Sequence, residues 1–299
     1  MPISGAALSL PDRQTLAQLI GAEVESVRPI SGGDHRAAFR IDSARGAVFL
    51  KCGPGEAAQS FAAEAAGLQA LAAANALRVP KLVARVCLAD TACLALEWID
   101  FAAATGNCER RLGEGLAKLH QLTAPHFGWL QDNNIGATRQ HNAWHQEWIR
   151  FFADQRLGVQ LALAQSNGAS SRLFDRGVRL CEALHGLFVG HRPQPSLLHG
   201  DLWGGNWAAD GDDQPVIFDP AVYYGDREAD LAMTRLFGGF GPDFYSAYQR
   251  AWPLDAGASV RVTLYNLYHV LNHFNLFGGS YQAQALRMTD ELLAHLGAT

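Results

Sequence analysis

The sequence lacks an excess of basic residues: 24 Lys and Arg stand against 29 Asp and Glu, for a formal net charge of -5. Proteins that bind nucleic acid usually present a basic surface, so we do not expect a nucleic-acid partner. The sequence also lacks an apolar run of about 18 residues, the length that a membrane-spanning helix needs. A hydrophobic share of 48% and a charged share of 18% are instead typical of a soluble globular protein.

Cysteine is scarce and scattered. The five cysteines form no C-x-x-C pair and no cluster with histidines that would predict a metal site. An odd number without such a framework indicates reduced thiols. The first 20 residues lack the basic region of a secretory signal, and Pro11, Asp12 and Arg13 interrupt their apolar content. We therefore expect a cytoplasmic protein with no membrane partner.

The first third of the chain alternates between strand-like and helical patterns. A short helix is expected after Asp12, and an alanine-rich helix over 56–74 carries Phe61, Leu68 and Leu71 on one face. Apolar alternation and turn residues predict strands around this helix at 24–30, 38–41, 47–51, 81–88 and 92–98. This order predicts a small α+β unit.

After residue 100 the pattern becomes helical. Apolar residues recur at helical spacing over 111–122, 144–164, 171–189, 259–277 and 280–296. A chain of 299 residues is long enough for two lobes. We therefore predict an α+β fold of two lobes: residues 1–99 form a small lobe with an antiparallel sheet and one main helix, and residues 100–299 form a larger, mostly helical lobe.

Three polar residues in a fixed order are the most informative feature of the sequence. Asp201 follows His199 and Gly200, Asn206 lies five residues further on, and Asp219 ends the apolar run 216–218. This is the spacing of a kinase catalytic loop, in which the first Asp accepts a hydroxyl proton and the Asn holds a metal ion. A strand-end Asp can hold magnesium. Each residue alone could be a turn or cap residue, but the ordered set favours phosphoryl transfer.

A lysine and a glutamate upstream fit the same chemistry. Lys51 ends an apolar strand, where it is either solvated or directed at nucleotide phosphates. Glu64 lies among alanines in mid-helix, so it needs a partner, and Lys51 is the expected one. Ser31, Gly32 and Gly33 form a turn that could approach phosphates, although most Gly-Gly pairs are plain turns. The pattern is neither G-x-G-x-x-G nor G-x-x-x-x-G-K-[ST], which disfavours a P-loop protein.

Other residues are weaker candidates for nucleotide or acceptor contacts. The backbone of Glu97, Trp98 and Ile99 leaves the small lobe, where an adenine edge could bond to it. Trp203 either stacks on a sugar ring or packs in the core. His273 lies on a late helix rich in polar residues, where a structural role is the commoner one.

Two acidic residues downstream of Asp219 have different expected roles. Asp230 is expected to anchor the catalytic loop through hydrogen bonds. Asp226 either faces substrate or is simply one of the acids common at a helix N-terminus. His199 is expected to fix the loop by hydrogen bonding rather than to act as acid or base.

Several blocks of the sequence match one family. From about Ile30 to Gln284 the chain resembles the fructosamine kinase (ketosamine-3-kinase) family, which has a protein-kinase-like fold and is related to aminoglycoside phosphotransferases and choline kinases. The matching blocks are 31–34, 61–65, 96–98, 127–129 with 132–136, 199–206, and 271–273 with 275–278. The spacer Leu202-Trp203-Gly204-Gly205 is specific to this family.

The resemblance implies a function and a set of roles. It implies ATP-dependent phosphorylation of a ketosamine, of the fructosamine or ribulosamine type, on the sugar 3-hydroxyl, which promotes deglycation. Asp201 would be the base, Asn206 and Asp219 would hold Mg²⁺, and Lys51 with Glu64 would orient the phosphates. The alternatives are an aminoglycoside- or choline-type phosphotransferase and a nucleotide-binding pseudokinase. The preferred sugar adduct, free against protein-bound substrate, and the oligomeric state stay open.

Overall fold

The computed structural model describes residues 10–30, 37–88 and 90–298. Ser31, Gly32 and Gly33 lie outside the described residues. The N-terminal part contains a five-stranded sheet in the order β1-β2-β3-β5-β4, and every neighbouring pair is antiparallel. Its strands are β1 Val24–Ile30, β2 Ala37–Ser43, β3 Gly46–Pro54, β4 Leu82–Cys87 and β5 Thr91–Glu97. The predicted antiparallel sheet is therefore confirmed.

Two helices cover the faces of this sheet. Helix α1, Arg13–Ile20, begins where the Asp12 carboxylate accepts the Thr15 N–H at 2.7 Å, as the sequence predicts. It packs on a small core that includes Leu16, Leu50 and Cys52. Helix α2, Ala58–Ala73, follows a short 3-10 turn and buries the predicted face of Phe61, Leu68 and Leu71. These three side chains belong to the larger core, which continues into the C-terminal helices.

The C-terminal part is mostly helical, as predicted. Its helices are α3 Gly106–His120, α4 Trp148–Phe152, α5 Gly158–Ser166, α6 Ser171–Ala183, α7 Glu228–Leu236, α8 Pro242–Ala251, α9 Ala258–Phe277 and α10 Tyr281–His295. Helix α3 begins five residues before the predicted start, because the Thr105 hydroxyl accepts the Cys108 N–H at 3.3 Å and caps the helix. Within the described ranges, no helix is long and apolar enough to cross a membrane.

The single helix predicted over 144–164 is wrong. His145 forms reciprocal backbone hydrogen bonds of 2.8 and 2.9 Å with Phe127, which hold it in extended backbone. The helical part is also interrupted by a π-helical turn, Ala153–Leu157, between α4 and α5. The apolar spacing of this segment is helical, but pairing with a distant residue decides where the helix begins.

Within the described residues, seven short strands lie outside the main sheet, and the last four of them flank the loops that carry the candidate site. They are β6 Phe101–Ala102, β7 Asn133–Ile135, β8 Thr138–Gln140, β9 Ser196–Leu198, β10 Trp207–Asp210, β11 Pro215–Ile217 and β12 Tyr223–Gly225. Strand β9 pairs with β12, and β10 lies between β6 and β11. The apolar run 216–218 predicts a buried strand, and β11 confirms it. The other short strands were not predicted, because strands of this length leave little periodicity in the sequence.

Arg78 joins the N-terminal sheet to the C-terminal part. Its backbone carbonyl accepts the Ile217 N–H at 3.0 Å, next to the strand that leads to Asp219. Its guanidinium forms ion pairs with Asp210 on β10 and, at 2.9 Å, with Glu97 at the end of β5. These contacts hold the end of β5 close to the strands around the catalytic loop.

The π-helical turn places a cation in the core. The Arg156 side chain is fully buried, and its guanidinium lies 4.6 Å from the Phe151 ring and 4.2 Å from the Tyr223 ring. It donates to the His141 carbonyl at 2.5 Å and to the Asn142 side chain at 2.7 Å. Arg156, between α4 and α5, thereby joins these helices to the segment that follows β8.

We expect the substitution Arg156→Met to destabilise the fold. It keeps much of the side-chain volume but removes hydrogen bonds to a charged group, each worth about 1.5–3 kcal/mol. Urea unfolding should show a lower free energy of unfolding. The control is Arg150→Met, an exposed arginine on α4, for which a change within about 0.5 kcal/mol is expected. Equal effects of the two substitutions on the free energy of unfolding would show that the contacts of Arg156 do not stabilise the fold.

Candidate active site

The catalytic loop, residues 199–206, connects β9 to β10, and its sharp turn requires glycine. Gly200 has φ +82°, and a Cβ there would lie 2.0 Å from the Ala221 carbonyl oxygen. An L side chain is therefore excluded for both backbone and steric reasons. The turn brings Asp201 back toward Asp219, which lies two residues after the end of β11.

Asp230 holds the backbone of this loop. Its buried carboxylate accepts the His199 N–H at 2.7 Å and the Gly200 N–H at 2.8 Å, which confirms the anchoring role predicted from the sequence. The His120 ring contacts the same carboxylate at 3.1 Å and Tyr248 at 2.8 Å. Burial by itself raises the pKa of Asp230, but these hydrogen bonds outweigh it and hold the pKa below its ordinary value.

His199 ties the loop to the neighbouring strand end. Its Nε2 donates to the Phe218 carbonyl at 2.9 Å, and its Nδ1 accepts the Asp201 N–H at 3.3 Å. Full burial lowers the pKa of His199 and favours the neutral ring that this pattern requires. The ring therefore fixes the loop by hydrogen bonding, as predicted.

Asp201, Asn206 and Asp219 come together as the sequence predicts. The Asn206 side-chain amide donates to the Asp201 carbonyl at 2.8 Å, to the Asp201 carboxylate at 3.2 Å and to the Asp219 carbonyl at 3.4 Å. Asp219 has φ +55°, a left-handed conformation that is uncommon outside glycine and often marks functional sites. This conformation lies directly after β11, where Phe218 bonds to the Asn206 carbonyl at 3.0 Å.

Lys51 pairs with both carboxylates that face it. Its ammonium lies 2.8 Å from Glu64 on α2, the partner predicted from the sequence, and forms a second ion pair with Asp219. Burial lowers the pKa of Lys51, but the two carboxylates more than reverse this and raise the pKa above its ordinary value. The lysine is therefore charged and lies between Glu64 and Asp219.

The donor set around Asp219 fits a magnesium ion. Mg²⁺ prefers carboxylate and carbonyl oxygens, which Asp219 and Asn206 supply. Because Asn206 uses its amide nitrogen toward Asp201 and the Asp219 carbonyl, its amide oxygen is the atom that could coordinate a cation. The Asp219 side chain is 44% exposed, so an ion can reach it.

The residues expected to contact adenine lie at the end of β5. The Glu97 N–H donates to the Lys81 carbonyl at 2.8 Å, and the Glu97 carboxylate pairs with Arg78. The backbone N–H and the carboxylate of Glu97 are therefore both used in contacts within the protein. The Trp98 indole lies under the Arg40 guanidinium at 4.6 Å, and Ile99 is 9% exposed.

Trp203 and His273, the two weaker acceptor candidates, lie in one aromatic cluster. The Trp203 ring is 6.2 Å from the Phe237 ring, which is 5.0 Å from the His273 ring. Trp203 and Phe237 are 39% and 46% exposed. The Trp203 ring also covers Gly205, where a Cβ would lie 2.3 Å from it. The Trp-Gly-Gly spacer therefore forms an aromatic surface beside Asp201.

The expectation that Asp226 faces substrate is corrected by its burial. Its side chain is 1% exposed and accepts hydrogen bonds from Tyr265 at 2.6 Å and His191 at 2.8 Å. These contacts turn the carboxylate into the protein interior. Phe237 and His120 are the residues that sequence reasoning missed. Their contacts join residues more than 30 positions apart, so no local pattern could have indicated them.

This arrangement of residues is the one expected of a kinase-type phosphotransferase site. The sequence model described as Fructosamine kinase matches residues 11–295. The chain belongs to the fructosamine kinase family, which confirms the resemblance found in the sequence.

Individual relatives agree with this assignment. A protein named probable ketoamine kinase from Synechocystis sp. is 42% identical over 98% of this chain and 99% of its own length. The chloroplastic protein-ribulosamine 3-kinase of Oryza sativa subsp. indica is 39% identical over 92% of this chain and 81% of its own.

Solved structures extend the similarity to the fold. A crystal structure from Thermobifida fusca YX-ER1, whose name places it with the fructosamine-3-kinases, has TM-score 0.86 and 32% identity, covering 94% of this chain and 98% of its own. An ADP-bound aminoglycoside phosphotransferase has TM-score 0.63 and 13% identity over 93% of this chain and 97% of its own. The latter likeness shows a common fold alone.

We expect Asp230→Asn to lower turnover by about 100-fold, because an amide cannot accept both loop N–H groups and Asp201 shifts from its reactive position. The measurement is kcat and KM for ATP alongside urea unfolding. Asp175→Asn, at an exposed position of α6, is the matched control. A kcat equal to that of the control in a folded Asp230→Asn protein would show that the loop does not depend on this carboxylate.

Proposed function

We propose that the protein transfers the γ-phosphoryl group of ATP to the sugar 3-hydroxyl of a ketosamine of the fructosamine or ribulosamine type. The observation that supports this most directly is the convergence of Lys51, Glu64 and Asp219 on the loop that holds Asp201 and Asn206. The names of the relatives supply the substrate class. Phosphorylation at this position would promote loss of the sugar from the amine.

In this proposal the Asp201 carboxylate accepts the hydroxyl proton while the hydroxyl oxygen forms a bond to the γ-phosphorus. The bond from that phosphorus to the bridging oxygen breaks, and ADP leaves. Lys51, kept charged by Glu64, stabilises the negative charge on the phosphate oxygens. Bound Mg²⁺ would supply further charge neutralisation between the phosphates.

The nucleotide is assigned to the junction after β5. Residues 1–99 would form a nucleotide-binding lobe and residues 100–299 a catalytic and substrate-binding lobe. The ion pair between Arg78 and Glu97 supports a fixed junction. The rings of Phe101 and Phe218, stacked 5.2 Å apart, would give adenine an apolar surface. The backbone of Trp98 and Ile99 would bond to the adenine edge, and Ser31, Gly32 and Gly33 would approach the phosphates.

The acceptor is assigned to the aromatic cluster beside Asp201. The exposed faces of Trp203 and Phe237 suit the apolar face of a sugar ring or the amine side of the adduct. His273 lies at the edge of this surface and adds a polar contact. The substrate can be free or protein-bound in this proposal. A cytoplasmic location is supported by the five free thiols.

The test of this function is a panel of acceptors assayed with ATP and Mg²⁺. Ribulosamine, erythrulosamine and fructosamine adducts of lysine, free and on a carrier protein, should give ADP and a sugar 3-phosphate detected by phosphorus NMR. The unmodified amine and aminoglycosides serve as controls. Turnover of aminoglycosides alone would support the aminoglycoside-type alternative, and absence of ATP consumption with every acceptor would support the pseudokinase.

We expect Asp201→Asn to reduce kcat by about 100- to 10,000-fold, the usual contribution of general-base catalysis, while ATP still binds. An amide cannot accept the hydroxyl proton. The measurement is steady-state turnover of a ketosamine, with nucleotide binding followed by calorimetry. Asp212→Asn, at an exposed position of the β10–β11 turn, should behave as the parent protein. An unchanged kcat would remove Asp201 from the chemical step.

A further inference from the structure

The aromatic cluster beside the catalytic loop continues along α9 to the start of α10. The His273 ring, which lies 5.0 Å from the Phe237 ring, is also 5.7 Å from the Phe277 ring and 5.2 Å from the Tyr281 ring. At the other end, Phe237 contacts Trp203 of the catalytic loop. These five rings form one continuous surface, which we call the aromatic row: Trp203, Phe237, His273, Phe277 and Tyr281.

The aromatic row is open to solvent. Five phenylalanine and tryptophan side chains in the described part of the chain are exposed, and three of them belong to the row. These three are Trp203, Phe237 and Phe277, with exposed fractions of 39%, 46% and 52%. Single exposed apolar side chains are common, but a contiguous group of them is typical of a binding surface. The row is therefore a candidate to contact the part of the substrate that does not react.

The backbone that follows Phe237 holds this end of the row against the catalytic loop. Gly238 and Gly239 have φ +74° and +91°, and a Cβ at Gly239 would lie 2.7 Å from the Gly204 Cα. The Gly239 carbonyl also accepts the Trp207 indole N–H at 3.0 Å. Because the two backbones are in direct contact, the turn after Phe237 has a fixed position relative to the loop. A substrate that reacts at the loop therefore meets the row at this end.

His273 adds a hydrogen-bond acceptor to the row. Its Nδ1 lies 2.7 Å from the His269 carbonyl, one turn earlier on α9. Because a carbonyl can only accept, Nδ1 carries a hydrogen, and Nε2 is the acceptor of the neutral ring. Among the described residues, none donates a hydrogen bond to this Nε2. The row therefore combines aromatic faces, which attract cations, with an acceptor for an N–H group.

We propose, on the basis of the proposed function, that the aromatic row binds the amine side of the ketosamine: its ammonium group and the carbon chain attached to it. The amine nitrogen is bonded to C1 of the sugar, close to the 3-hydroxyl that would react at the catalytic loop. The other end of the sugar carries hydroxyl groups, which suit aromatic faces less well. The ammonium lies against Trp203 and Phe237 and donates to the His273 Nε2. The carbon chain lies along Phe277 and Tyr281.

The amine then determines specificity together with the sugar. An alkyl chain such as that of a lysine side chain buries apolar surface on the row, whereas a short polar substituent does not. A carboxylate next to the nitrogen, as in a free α-amino acid, brings a negative charge to the aromatic faces, which carry a negative potential themselves. Ketosamines of lysine side chains and alkylamines are therefore the favoured substrates, and ketosamines of free α-amino acids are disfavoured.

The test uses the full chain with ketosamines that share one sugar and differ only in the amine: hexylamine, ethanolamine or glycine. The measurement is kcat/KM from ADP release with ATP and Mg²⁺. We expect a value about 10-fold higher for the hexylamine adduct than for the ethanolamine adduct, and the lowest value for the glycine adduct. Equal values for the three adducts overturn this inference and leave the proposed function standing. Absence of ATP consumption with every adduct overturns both.

Variants at the far end of the row locate the effect. Phe277→Ala should lower the preference for the hexylamine over the ethanolamine adduct to about 2-fold, and Phe277→Leu, which keeps an apolar chain, should retain most of it. Val178→Ala, at an exposed apolar position of α6, is the control and should keep the parent ratio. A general loss of folded protein lowers both values alike and leaves their ratio unchanged. A parent-like ratio in folded Phe277→Ala overturns the proposal, and should that variant fail to fold, the adduct series with the parent protein decides.

Discussion

The buried carboxylate of Asp230 accepts two consecutive backbone N–H groups, and the candidate active site depends on this interaction. The hydrogen bonds from His199 and Gly200 fix a turn that only glycine can adopt, and His120 holds the carboxylate from behind. Because Asp230 lies in the first turn of α7, the catalytic loop takes its position from the helical core rather than from its own flexible sequence. Asp201 is placed by this backbone.

The charged groups of the site are held in place by a second set of contacts. Lys51 comes from the N-terminal sheet, yet it pairs with Glu64 on α2 and with Asp219 after β11. Asp219 is in turn held by the left-handed backbone after β11, beside the junction made by Arg78. The residues of the candidate active site can therefore meet only when both parts of the chain are folded. Family membership and this convergence support the same phosphoryl-transfer chemistry.

The sequence predicted the larger elements well because long amphipathic helices and alternating strands leave periodic signals. The five strands of the main sheet and the helix with Phe61 and Leu68 lie close to their predicted bounds. The predictions failed where long-range pairing overrides local preference. His145 lies in extended backbone rather than in a helix, because it pairs with Phe127. Asp226, one of several neighbouring acidic residues, points into the interior and accepts a hydrogen bond from Tyr265. The short strands around the catalytic loop exist only because their partners lie beside them.

The sequence by itself determined the chemistry of the protein and its family. Asp201, Asn206 and Asp219 lie close together in the sequence, with the Trp-Gly-Gly spacer between the first two. Their order and spacing can therefore be read without the structure. Only the tertiary structure decided which groups face the site and which face the interior. It brought Phe237 to Trp203 and directed Asp226 toward His191. The physical reason is that burial and pairing are set by packing between distant segments, which the spacing of residues along the chain does not record.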